Sequence, residues 1–134
     1  MTSLIAIEGI GEVYAKKLAQ AGIRSTEALL ARAATRKDRK ALAQETGISE
    51  EKILEWVNRA DLFRVPGIGE EYSDLLENAG VDTVAELSRR NAENLHEAMV
   101  KVNAEKNLVN RMPSVKMVQA WIQAAKSLPR LVEY

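Results

Sequence analysis

The chain contains no cysteine, which excludes disulfides, thiolate metal sites and cysteine nucleophiles. Its one histidine, His96, leaves too few imidazoles for a His-rich zinc site, so no metal and no cofactor is expected. Long apolar runs are absent too. The longest, Leu4–Ile7 and Ala28–Ala31, hold four residues each, far short of a membrane span. Glu8 cuts off the first before it could serve as the core of a signal peptide. An excess of charge of one sign is also missing. Lys plus Arg total 19 and Asp plus Glu total 19, so a generally basic nucleic-acid coat and a polybasic membrane binder are both disfavoured. A soluble cytoplasmic protein with no membrane contact is the expectation. Apolar residues at 46% and charged residues at 28% fit a globular fold, and 134 residues fit one domain or two very small ones.

The strongest signal is internal. An offset of 58 residues brings Leu4–Tyr14 over Leu62–Tyr72, and across residues 4–29 against 62–87 ten of 26 positions are identical. The register resumes at an offset of 65, where Ser49 meets Ser114, Trp56 meets Trp121 and Ala60 meets Ala125. Residues 1–60 and 61–134 therefore read as two copies of one unit, the second enlarged by an insertion at about 88–113.

Periodicity is helical throughout. Tyr14, Leu18 and Ala21 recur at helix spacing, as do Tyr72, Leu76 and Ala79. Gly22 and Gly80 stand where a left-handed residue would end those helices. Ser25, Ser49 and Thr83 read as N-caps. No stretch alternates long enough for a strand, and no Pro/Gly/Ser linker separates the halves. The expected fold is all-α, with two duplicated helical halves packed about a shared core into one compact unit.

Gly9-Ile10-Gly11 and Gly67-Ile68-Gly69 each precede a helix. Two glycines one residue apart allow a tight turn with positive φ, expected at Gly11 and Gly69, and leave the amides of the next helix start uncovered. A dinucleotide fingerprint is excluded, because the third glycine and a preceding strand are missing.

Val65-Pro66-Gly67-Ile68-Gly69, with a helix ending at Ala79-Gly80, resembles a helix-hairpin-helix motif, and Ile7-Glu8-Gly9-Ile10-Gly11 resembles it as well. The whole chain, through Arg90-Asn91, Trp121 and Leu128-Pro129-Arg130, resembles a bacterial domain-of-unknown-function family with tandem helix-hairpin-helix halves. The motif implies sequence-independent contact with nucleic-acid backbone, in which hairpin amides hold a phosphate, or a monovalent cation held by hairpin carbonyls. The residues it implicates are Gly9, Ile10, Gly11, Gly67, Ile68 and Gly69. Two departures stand out. Glu12 and Glu70 follow the second glycine, and the usual basic position is Val13 or Glu71. Carboxylates there suit the helix dipole but repel an incoming phosphate.

A second candidate is the run Arg36, Lys37, Arg39 and Lys40, read as a solvated basic helix face or as phosphate contacts. Arg32, Lys16 and Lys17 would extend it. Trp56, Trp121, Tyr14 and Tyr72 hold equivalent repeat positions, which indicates packing rather than base stacking. His96 is expected on a helix surface, with no partner for a catalytic or ligand role visible in the sequence. Glu50 and Glu51 are consecutive on a helix and face apart, so no acid/base dyad is supported and no enzyme activity is expected. The function that emerges is a non-catalytic binding module for nucleic-acid backbone. The alternative is a protein-interaction or scaffold module.

Overall fold

The computed structural model describes residues 2–134. Eight helices form among them: α1 (Glu12–Gln20), α2 (Thr26–Ala33), α3 (Arg36–Thr46), α4 (Glu50–Leu62), α5 (Glu70–Asn78), α6 (Val84–Ser88), α7 (Ala92–Lys106) and α8 (Val115–Lys126). A 3-10 turn at Leu4–Ala6 precedes them. The extended pairing among the described residues is a single isolated bridge, Ser3 with Ser25. The fold is all-α.

The chain divides into two compact units. The first runs to Asp61 and also takes in Leu131–Tyr134, and the second is Leu62–Arg130. Sequence alone assigns that tail to residues 61–134, because nothing in Leu131–Tyr134 announces a return to an earlier segment.

Local chemistry sets the helix ends. Ser25, Thr35, Thr83, Asn91 and Ser114 each accept a hydrogen bond from the amide three residues on, capping α2, α3, α6, α7 and α8. Ser49 Oγ does the same for the amide of Lys52 at the start of α4. Helix α1 closes with Gly22 at φ +87°, the Ile23 amide donating to Leu18 O and the Gly22 amide to Ala19 O. Helix α5 closes identically: Gly80 sits at φ +96°, Val81 donates to Leu76 O, and Gly80 donates to Glu77 O. Both are Schellman ends, in which the left-handed residue tolerates no side chain cheaply.

In the first unit the apolar faces of α1–α4 bury Leu18, Leu29, Leu42, Ile53 and Trp56. The core cluster of the second unit is drawn from its own residues, including Leu75, Leu76, Leu87, Leu95, Met99, Val118 and Trp121. There α6 and α7 both pack on α8, and α5 packs on α7. The extra length at 88–113 falls in α7, at 15 residues against 11 for α3, and in the loop that follows. Four hydrogen bonds pin that loop. Asn103 pairs both ways with the Val109 backbone, Tyr72 OH donates to Arg111 O, and His96 Nε2 lies 2.9 Å from Pro113 O. His96 is therefore half-buried against the loop rather than out on the helix surface.

At the N-terminal edge, Thr2 N–H donates to both oxygens of Glu27, at 2.8 and 3.0 Å. That backbone bond holds the Glu27 carboxyl below the usual carboxylate range. A carboxylate with a lowered pKa contributes stability above its unfolded value and loses it as pH falls through the folded one. Glu27→Gln is thus expected to lower the melting temperature slightly at neutral pH. The difference should vanish in acid well below the ordinary carboxylate range, as thermal scans at several pH values would show.

Candidate functional site

The two Gly-Ile-Gly turns have matching backbones. Gly9 lies at φ +94° and Gly67 at +91°, while Gly11 and Gly69, at −89° and −114°, are in the extended region. The positive φ expected at the second glycine therefore belongs to the first. The amide of Ile10 donates to Ile7 O and that of Ile68 to Val65 O, both at 3.1 Å, closing each turn. Ile10 and Ile68 are buried and tie the turns to the interior.

Aromatic packing explains the first glycine further. A Cβ on Gly9 would lie 3.4 Å from Trp56 Nε1, and one on Gly67 would lie 3.2 Å from Trp121 Nε1. Trp56 and Trp121 are 2% and 4% exposed. Each tilts against a tyrosine from the helix after the turn, Tyr14 at 5.0 Å and Tyr72 at 5.2 Å between ring centroids. The aromatics are packing elements, and each turn rests on an indole edge.

The other side of each turn faces outward. Gly11 and Gly69 are the N-cap residues of α1 and α5, and neither helix start has a side-chain cap, in contrast to the six capped starts above. Gly11, Glu12 and Val13 are exposed, as are Gly69, Glu70 and Glu71. Their N–H groups form an uncovered donor set at the positive end of the helix dipole.

Two cations escaped the sequence reading. Lys52 Nζ lies 5.7 Å from the centre of the Tyr14 ring, over the first turn of α1. The offset of 65 places Met117 opposite Lys52, so the second unit lacks this lysine. It has Arg111 instead, exposed on the loop whose backbone Tyr72 OH holds at 3.2 Å. The repeat register could have singled out Lys52. Arg111 lies in the insertion, where no register exists.

The basic run on α3 separates. Arg36, Lys37 and Lys40 are exposed, but Arg39 is 3% exposed and belongs to no surface patch. Its Nη1 donates to Ala33 O and Ala34 O at 3.2 and 2.8 Å, and its Nη2 donates to Glu133 O at 2.5 Å. Burial pulls its pKa below the ordinary guanidinium value. Arg39 lies three residues before buried Leu42, on the inward-turning side of α3. Arg32 does not extend the run, being paired with Glu45 and bonded to Ala21 O. Lys16 and Lys17 are exposed. Arg36 and Arg39 share a cleft of about 390 Å³ with Glu50, Glu51, Leu54 and Tyr134. The first turn of α4 lines the cleft through its two acids and reaches the Tyr14 ring through Lys52.

Among the described residues no group of three or more His, Asp and Glu could hold a metal ion, and no helix is long and apolar enough to cross a membrane. No curated protein and no solved structure matches the chain. A family model does match, over residues 8–128, which takes in both Gly-Ile-Gly turns, both tryptophans and the whole of α3. The chain belongs to the family described as domain of unknown function DUF4332.

Proposed function

We propose that this protein is a non-catalytic binding module of two helix-hairpin-helix halves that holds nucleic-acid backbone without reading sequence. The observation that carries the reading is the contrast at the helix starts: six are closed by a side chain, while the two behind Gly-Ile-Gly are left open. An open start offers N–H donors to a phosphate. In the first unit Lys52 sits over the ring of Tyr14, a residue of the first turn of α1, and Arg36, Lys37 and Lys40 add exposed cations on α3. In the second unit the exposed Arg111 has its carbonyl bonded to Tyr72 of α5, and the start of that helix carries Glu70 and Glu71. The acids keep affinity low and make the second hairpin the poorer contact.

Binding should be weak, roughly 10⁻⁴–10⁻⁶ M at physiological salt, and equal for unrelated duplexes. Fluorescence anisotropy of a labelled duplex across salt concentrations tests this. Lys52→Glu is expected to weaken binding and reduce the slope of log affinity against log salt by about 0.9, one phosphate contact. Glu12→Lys is expected to tighten it. A wild type that binds nothing at low salt, with no binding created by Glu12→Lys, replaces this reading with the protein-interaction one. Val13, 69% exposed and directly behind the first turn, is the apolar contact that reading would use.

A further inference from the structure

Each tryptophan carries one polar group that packing leaves unused. Trp56 and Trp121 are 2% and 4% exposed, yet among the described residues neither Nε1–H donates to an acceptor. A tryptophan buried this far ordinarily finds one. The same gap at both repeat positions points to a shared cause rather than an accident of one core. Beside each N–H lies open space. Outside its chain neighbours, a Cβ on Gly9 would meet a single atom within 4 Å, Trp56 Nε1 at 3.4 Å. One on Gly67 would meet only Trp121 Nε1, at 3.2 Å. Both glycines are exposed. The room that a side chain would fill is therefore reached from solvent, with an unpaired donor as its inner wall. An oxygen placed there needs to move by only about half an ångström or less to make an ordinary N–H···O bond.

We propose that each Gly-Ile-Gly turn is a phosphate seat whose inner donor is the indole, Trp56 Nε1–H in the first unit and Trp121 Nε1–H in the second. The proposal rests on the backbone-binding reading above and adds a contact to it. It gives the first glycine a second reason to lack a side chain, since a phosphate oxygen must approach its Cα closely. Gly9 precedes Gly11 by two residues, so the seat and the open start of α1 lie at most about 7 Å apart, within reach of one phosphate group. A neutral donor displaces no counterion, so the indole adds affinity without adding to the salt slope.

The test uses the full chain with Trp56 and Trp121 replaced by β-(3-benzothienyl)alanine, which keeps the bicyclic shape and has sulfur in place of the N–H. Circular dichroism establishes that this protein is folded. Its binding of a labelled duplex should be weaker by about tenfold or more, the usual loss for a hydrogen bond to a charged group, at the wild-type salt slope. In ¹⁵N-labelled wild type the two indole N–H signals should move as duplex is added. If the analogue protein does not fold, these signals decide the matter alone. Duplex binding that leaves both indole signals fixed, or equal affinity in the folded analogue, overturns the seat while the backbone-binding reading stands. If the wild type binds no duplex, the backbone-binding reading falls, and inorganic phosphate is added against sodium chloride at equal ionic strength. Indole signals that answer phosphate and not chloride then uphold the seat alone. Signals that do not distinguish the two salts overturn both.

Discussion

Trp121→Ala is expected to destabilise the second unit by about 3–5 kcal/mol, the usual range for removing a buried tryptophan. The side chain is buried beside Val118, Ile122 and Ala125 on α8 and tilts against Tyr72 on α5. Deleting it leaves a void that the rest of the unit cannot close, and it removes the indole edge beneath Gly67. A loss of that size is a large share of the 5–15 kcal/mol that ordinarily holds a domain together. Hydrogen exchange gives the readout unit by unit: amides within α5–α8 should lose most of their protection. Trp121→Phe, which keeps a ring against Tyr72, should lose clearly less. A Trp121→Ala protein with protection factors in α5–α8 near wild type would show that the core described here is misassigned.

Gly67→Ala is expected to cost about 1–3 kcal/mol, whereas Gly69→Ala should stay within about 0.5 kcal/mol. At φ +91° an L side chain is strained whatever space it has, and here the added Cβ also presses on Trp121 Nε1 at 3.2 Å. Gly69 is at φ −114° with no atom within 4 Å of an added Cβ. The same contrast should hold between Gly9 and Gly11, which have the same geometries. Urea denaturation followed by tryptophan fluorescence measures all four. Equal midpoints for Gly67→Ala and Gly69→Ala would contradict the turn geometry.

These two predictions also mark where sequence reasoning reached its limit. Features set by nearest neighbours were legible: the left-handed ends at Gly22 and Gly80, the caps at Ser25, Ser49 and Thr83, and the helical character of the chain. Burial of both tryptophans followed from their equivalent places in the repeat. Which glycine of a pair takes positive φ did not follow. Gly-Ile-Gly is symmetric as a string, and the turns closed by Ile10 N–H on Ile7 O and Ile68 N–H on Val65 O put Gly9 and Gly67 at the position that needs positive φ, each beside an indole from far along the chain. The burial of Arg39 is hidden in sequence for a similar reason. A run of cations looks solvated until a distant backbone supplies acceptors, and Glu133 lies 94 residues from Arg39. The bond between His96 and Pro113 likewise depends on how the inserted loop folds back onto α7. Of the candidate site, the turns and the three exposed cations on α3 are visible in the string, Lys52 shows there only as a difference between the two repeats, and Arg111 emerges only in three dimensions.

The central claim is that uncapped helix starts contact phosphate. Amide chemical shifts of ¹⁵N-labelled protein, recorded while an unlabelled duplex is added at low salt, test it most directly. Gly11, Glu12 and Val13 are expected to move first and farthest, with α3 amides around Arg36 and Lys40 following, and the changes should reverse as salt is raised. If those three amides stay fixed while others shift, or if no amide shifts at low salt, the backbone-binding account is contradicted.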